Sequence, residues 1–107
     1  MRIIHNLSKE ARRKIIEILL ENRSRKELAE ELGLSPAAIT KFLNGITHPS
    51  DETIEKALEI ASEDEKREII NVILNDIMLS LEEFINELNV EVEELERVKK
   101  VIQLTSF

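Results

Sequence analysis

The run Arg25-Lys-Glu-Leu-Ala-Glu-Glu-Leu-Gly-Leu-Ser-Pro-Ala-Ala-Ile-Thr-Lys-Phe-Leu-Asn44 divides at Gly33 into two short helices joined by a tight turn. Ser24 is a cap for the first, Arg25 to Leu32, and Gly33 ends it by tolerating positive φ. Ser35 caps the second, with Pro36 at the first helical position, where its missing N–H costs nothing. Asn44-Gly45 closes it. Two helices crossing steeply need a small residue where their backbones approach, and Ala29 provides it. Leu28, Leu32, Leu34, Ile39 and Phe42 stand where such a pair must be apolar to pack on other helices.

Outward from this pair the chain reads as helix on both sides. The two Gly and two Pro of the 107 residues are Gly33, Pro36, Gly45 and Pro49, so punctuation is confined to one window. On the N-terminal side Ser8 is a cap preceded by the staple residue Leu7, and Ala11, Ile15, Ile18 and Leu19 fall on one helical face. On the C-terminal side Ser50 caps a further helix, Asp51 and Glu52 suit the positive end of its dipole, and Ile54, Ala57, Leu58 and Ile60 form its stripe. No period-two apolar stretch bounded by turn residues argues for a sheet. The expected class is all-α.

From Asp64 the chain carries neither Gly nor Pro. Leu74, Leu81, Leu88, Leu95 and Ile102 recur every seventh position, and Ile70, Ile77, Phe84 and Val98 supply the second apolar position of the heptad, with Glu91 the one defect. Ile73, Met78, Ile85, Val92 and Val101 widen the stripe beyond a bare two-stranded zipper. Asn89 followed by Glu91, Glu93 and Glu94 reads as a cap and acidic first turn, so a break near Asn89 is favoured over one long helix. The expected organisation is residues 1–63 as a compact domain of four to five helices. Residues 64–107 follow as a helical hairpin or coiled-coil-like oligomerisation element, and a homodimer is the default.

Charge is divided between the same halves. Residues 1–50 hold nine Lys/Arg and six Asp/Glu, net +3, whereas residues 51–107 hold six and sixteen, net −10. A basic face on an acidic body can still neutralise phosphates locally, because exposed charges are screened beyond about 10 Å. The three aromatics are all Phe, which removes the stacking platforms of single-strand and RNA binders. With no Cys, disulfides, thiolate ligands and cysteine nucleophiles are excluded. Apolar runs such as Ile18-Leu19-Leu20 are far short of the ~18 residues of a membrane span, and Met1 to Leu7 lacks a signal-peptide core. A soluble, cytoplasmic protein is expected.

Catalytic chemistry finds little footing. His5 and His48 have no acidic cluster at metal-ligand spacing, and pairs such as Glu30-Glu31 or Glu93-Glu94 diverge on a helix and cannot form an acid/base dyad. The reading is therefore of a non-enzyme with no catalytic residue, metal or cofactor. Arg12, Arg13 and Lys14, with Glu10 and Glu17 nearby, read as a salt-bridged exposed face.

In Leu28-Ala29-x3-Gly33 and Ile39-x4-Asn44-Gly45, within residues 8–61, the sequence resembles the lambda-repressor-like family of transcriptional regulators, also called the Cro or xenobiotic-response-element type. A plain helical hairpin in a bundle is the bland alternative. The resemblance implies a helix-turn-helix whose third helix, residues 35–44, enters the major groove of double-stranded DNA, so that Pro36, Ala37, Thr40 and Lys41 meet base edges. It also assigns phosphate contacts to Arg25 and Asn44, with Arg23, Lys26 and Ser35 beside them. Family members with strong readout tend to carry Gln, Asn, Ser or Arg where this chain has Pro36 and Ala37. Thr40 and Lys41 are left as the main polar readers. Three functions stay open: a dimeric regulator, a protein-interaction or antitoxin-like adaptor using the acidic tail, and an architectural DNA binder of low specificity.

Overall fold

A computed structural model describes residues 1–89 and 92–105, except the side chains of Val92, Ile102, Leu104 and Thr105. Seven helices account for the regular structure of those residues: α1 (Arg2–His5), α2 (Lys9–Leu20), α3 (Arg25–Leu32), α4 (Pro36–Leu43), α5 (Asp51–Ile60), α6 (Glu63–Leu88) and α7 (Val92–Thr105). The described residues contain no strand, and the all-α class holds. The chain divides into two compact units, Met1–Leu74 and Asn75–Phe107.

Local chemistry sets the ends of the N-terminal helices. Ser8, Ser24, Ser35 and Ser50 each accept a hydrogen bond from the backbone N–H three residues on, at Ala11, Glu27, Ala38 and Thr53, satisfying donors that a helix start leaves without partners. At α3 the Glu27 carboxylate also accepts from the Ser24 N–H at 3.3 Å, completing a capping box. The ends of α3 and α4 are built alike. Gly33 (φ 71) and Gly45 (φ 70) take the left-handed conformation; Leu34 N–H then donates to Ala29 O at 2.8 Å and Ile46 N–H to Lys41 O at 3.0 Å. This is the Schellman arrangement, which turns the chain sharply while satisfying terminal carbonyls.

The core of the first unit is aliphatic. Ile4, Ile15, Ile16, Leu19, Leu28, Ile39, Ile54 and Ile69 are fully buried, each contributing about 1.5–3 kcal/mol by its removal from water. Ile73 is buried too. The tail expected from residue 64 therefore lends Glu65, Ile69 and Ile73 to the N-terminal unit, and Ile73 does not flank a free seam.

Two features differ from the sequence reading. The short helix α1 has no side-chain cap, so nothing local announces it; tertiary contacts hold it against α5. Arg12 supplies several of them. Its side chain is not on an exposed face with Arg13 and Lys14 but is buried, donating to Ile4 O at 2.7 Å, Leu7 O at 3.3 Å, Pro49 O at 2.9 Å and Asp51 Oδ1 at 2.7 Å. One guanidinium thus satisfies carbonyls around the α1–α2 junction and the approach to α5, a role suited to five donors in a planar fork.

In the second unit, α6 ends at Leu88 and Asn89 follows with φ 49. Asparagine is among the few non-glycine residues that tolerate this region, so the expected break occurs there with Asn89 stopping α6. Val90 and Glu91 lie outside the described residues.

Candidate nucleic-acid interface

The face of α4 turned away from the core carries the expected readers. Ile39 and Phe42 are buried, whereas Pro36, Ala37, Lys41 and Asn44 are exposed and Thr40 is half-buried. With Thr40 these residues follow the spacing i, i+1, i+4, i+5, i+8, which is one side of a helix. Anchored by Ser35 at one end and Gly45 at the other, this side is presented to solvent as a rigid strip.

Arg25 joins this strip. From the first position of α3 its Nη1 donates to Thr40 Oγ1 at 3.1 Å, and Thr40 Oγ1 in turn donates to Pro36 O at 3.2 Å. A hydroxyl has one donor and two acceptor lone pairs. With the proton directed at Pro36 O and one lone pair facing Arg25, Thr40 presents outward one acceptor and its methyl group. Arg25 keeps the rest of its donors, and Lys26 is exposed beside it on the first turn of α3. Ser35 Oγ accepts from Ala38 N–H at 3.1 Å, leaving its own O–H proton to donate.

Arg23 does not join them. Its Nη1 and Nη2 grip Glu65 Oε2 and Oε1 at 2.6 and 3.1 Å, Nε donates to Glu31 Oε1 at 3.0 Å, and the remaining N–H groups meet Leu19 O at 2.9 Å and Ile60 O at 3.3 Å. All five donors are engaged and the side chain is 12% exposed. The hydrogen bonds to Glu65 raise the Arg23 pKa further. On the other side, Arg23 and then Ser62 N–H and Asn22 hold the Glu65 carboxyl down to about 2 against the opposing effect of burial. Arg23 is a structural tie, and its assignment to phosphate is corrected accordingly. Proximity to α3 suggested that assignment; the partner that overrides it is 42 residues away.

The tail residues are unevenly covered. Ile70, Phe84 and Leu88 are 46%, 54% and 62% exposed, Leu74, Ile77, Leu81, Leu95 and Val98 are half-buried, and the side chain of Ile102 lies outside those described. On α7 an apolar depression of about 480 Å³ is lined by Glu94, Arg97, Val98, Lys100 and Val101. No group of His, Asp and Glu among the described residues is arranged to hold a metal ion. No helix among them is long and apolar enough to cross a membrane.

A capped helix, a glycine turn and a second helix with one face packed and the other open have the geometry of a helix-turn-helix. Residues 13–60 match the family model described as Helix-turn-helix, which supports the resemblance of this segment to the lambda repressor-like regulators. Comparison with curated proteins and with solved structures returned no match.

Proposed function

We propose that this DNA-binding regulator acts as a homodimer on specific double-stranded sites, with α4 in the major groove and a tail surface joining two copies. The observation that carries the reading is the open face of α4, where Pro36, Ala37, Thr40 and Lys41 project opposite the buried Ile39 and Phe42. Lys41 donates to guanine O6 or N7; Thr40 offers its methyl to thymine and its remaining lone pair to an adenine or cytosine amino group. Ala37 adds a methyl contact. Arg25, Lys26, Ser35 and Asn44 flank this strip and hold phosphates, which fixes register without reading sequence.

Dimerisation is supported by the apolar side chains that the tail leaves in water, since contiguous exposed patches of this kind usually mark interfaces. A two-fold dimer presents two reading helices to an inverted repeat with half-sites about one helical turn apart. Selection from a pool of random duplexes tests the whole reading. An inverted repeat of that spacing is the expected outcome, and recovery of unrelated single sites would count against it. A second reading, an architectural binder of low specificity, draws on the apolar character of Pro36 and Ala37 and on the engaged hydroxyl of Thr40; it predicts that selection enriches no sequence at all.

A further inference from the structure

The second unit, Asn75–Phe107, carries two surfaces of complementary chemistry. The depression on α7 has an apolar side, Val98 and Val101, and a basic side, Arg97 and Lys100, with Glu94 toward its N-terminal end. On the last turns of α6, Phe84 and Leu88 are more than half exposed, and Glu83 and Glu87 stand in water along one edge of them. Charge is segregated in the same way: residues 75–88 hold four acidic side chains and no basic one, whereas the basic residues of the unit are Arg97, Lys99 and Lys100. Within one chain the depression is open and Phe84 and Leu88 face solvent, so the two surfaces do not cover each other there.

Helical rotation fixes how two such surfaces can meet. At 3.6 residues per turn, Glu83 and Glu87 lie about 100° around α6 from Phe84 and Leu88, and Arg97 and Lys100 lie about 100° around α7 from Val98 and Val101, in the same sense. Faces of the same hand bring their charged edges together when the helices run antiparallel; parallel helices put those edges on opposite sides. One antiparallel register sets Phe84 opposite Val101, Leu88 opposite Val98, Glu87 opposite Arg97 and Glu83 opposite Lys100, each pair level to within about 2–3 Å at 1.5 Å per residue. Glu94 then falls beyond Leu88, clear of both glutamates.

We infer that the α7 depression receives the last turns of α6 from a second copy of this chain, antiparallel and in this register. The contact deepens the homodimer proposed above and rests on it. Two-fold symmetry makes the exchange reciprocal, α6 of one protomer on α7 of its partner and the reverse. Phe84 and Leu88 supply the apolar centre of each contact, and the charged edge supplies a rim that selects direction and register.

The test is sedimentation of the full chain and of two charge-reversed variants. Arg97→Glu with Lys100→Glu leaves both surfaces acidic; Glu83→Lys with Glu87→Lys leaves both basic. Each variant alone should dissociate at least about tenfold more readily than the unaltered chain, because every rim pair becomes repulsive. Mixed in equal amounts, the two should form a mixed dimer, since an acidic surface then meets a basic one in both contacts. Such rescue is open neither to a misfolded variant nor to pairing within one chain, where each variant keeps its own repulsion. If the unaltered chain is a dimer and either variant dimerises as well as it does, or if the mixture gains no mixed dimer, the exchange of α6 and α7 is overturned and the homodimer stands. If the unaltered chain is a monomer at micromolar concentration, both fall together.

Discussion

Arg23, at the entrance to α3, and Glu65, in the first turn of α6, form a two-pronged ion pair with contacts of 2.6 and 3.1 Å. Neither is left with an unanswered polar group, since Ser62 N–H and Asn22 also donate to the Glu65 carboxylate. Ser62 Oγ accepts from Glu65 N–H at 3.2 Å, so the carboxylate that binds Arg23 belongs to the capping box of α6. The pair thereby ties the start of α6 to the approach of the helix-turn-helix. Charge pairs taken out of water add little net stability relative to an apolar pair, but removal of one partner strands the other.

Acid should expose this pair. Glu65 ionises at about 2 when folded, against an ordinary 4.5; its stabilisation is therefore complete above about pH 4.5 and disappears as pH falls through 2. The difference corresponds to on the order of 3 kcal/mol. Urea denaturation between pH 6 and 2 should show this loss, and Glu65→Gln should begin less stable and lose less on acidification. Asp51, lowered chiefly by His5 and then by Arg12, acts in the same direction and leaves the variant some residual slope. Parallel pH profiles for the two proteins would contradict the assignment.

Arg25 and Lys41 should separate positioning from reading. Lys41→Ala should cost ~1–3 kcal/mol on the selected site and relax preference at one base pair. Arg25→Ala should weaken all duplexes and reduce the salt slope by about one. Since Arg25 also holds the Thr40 hydroxyl, its loss should broaden preference at the position Thr40 meets. Competition titrations with single-base variants of the site read both effects, and identical profiles for the two variants would refute the division.

The parts of this fold legible in the sequence are those decided within a few residues. Ser24, Ser35 and Ser50 announce helix starts because a hydroxyl three residues before a backbone N–H suffices to cap it, and Gly33 announces a stop because positive φ needs no distant partner. The break at Asn89 is legible from the cap and acidic first turn that it and Glu91, Glu93 and Glu94 spell out, whereas in the structure Asn89 ends α6 at positive φ. Arg12 and Arg23 were opaque, because an arginine satisfied by carbonyls and a distant glutamate looks in sequence like one bathed in solvent. Helix α1 was opaque as well, being held by Arg12 and α5 without a cap of its own. The open face of α4 was visible as a pattern, but the hydrogen bond that brings Arg25 to Thr40 spans a turn whose geometry the spacing alone does not give.

Gly33 should resist substitution more than its exposure suggests. At φ 71 an alanine Cβ would lie 3.4 Å from Lys56 Nζ, a flexible end that can move aside, so backbone strain is the main cost. A loss of ~1–2 kcal/mol is expected for Gly33→Ala, from the penalty of placing an L side chain in the left-handed region. Chemical denaturation measures it. An unchanged midpoint would mean that the turn between α3 and α4 relaxes to another conformation.

The tail prediction rests on apolar groups with no cover in a single chain. Phe84 and Leu88 are four residues apart on α6, hence on one face, and both are more than half exposed; Ile70 lies on the same heptad frame. The double change Phe84→Glu with Leu88→Glu should convert a dimer into a monomer, read as a halving of mass by light scattering. The first unit should stay folded, because its core ends at Ile73 and contains neither position. Binding to a single half-site should then be preserved while affinity for the inverted repeat falls by about 10²-fold or more, since the second contact is no longer linked to the first. A monomeric unaltered protein at micromolar concentration would remove the basis for this prediction, and equal affinity of both proteins for the inverted repeat would show that the joining surface lies elsewhere.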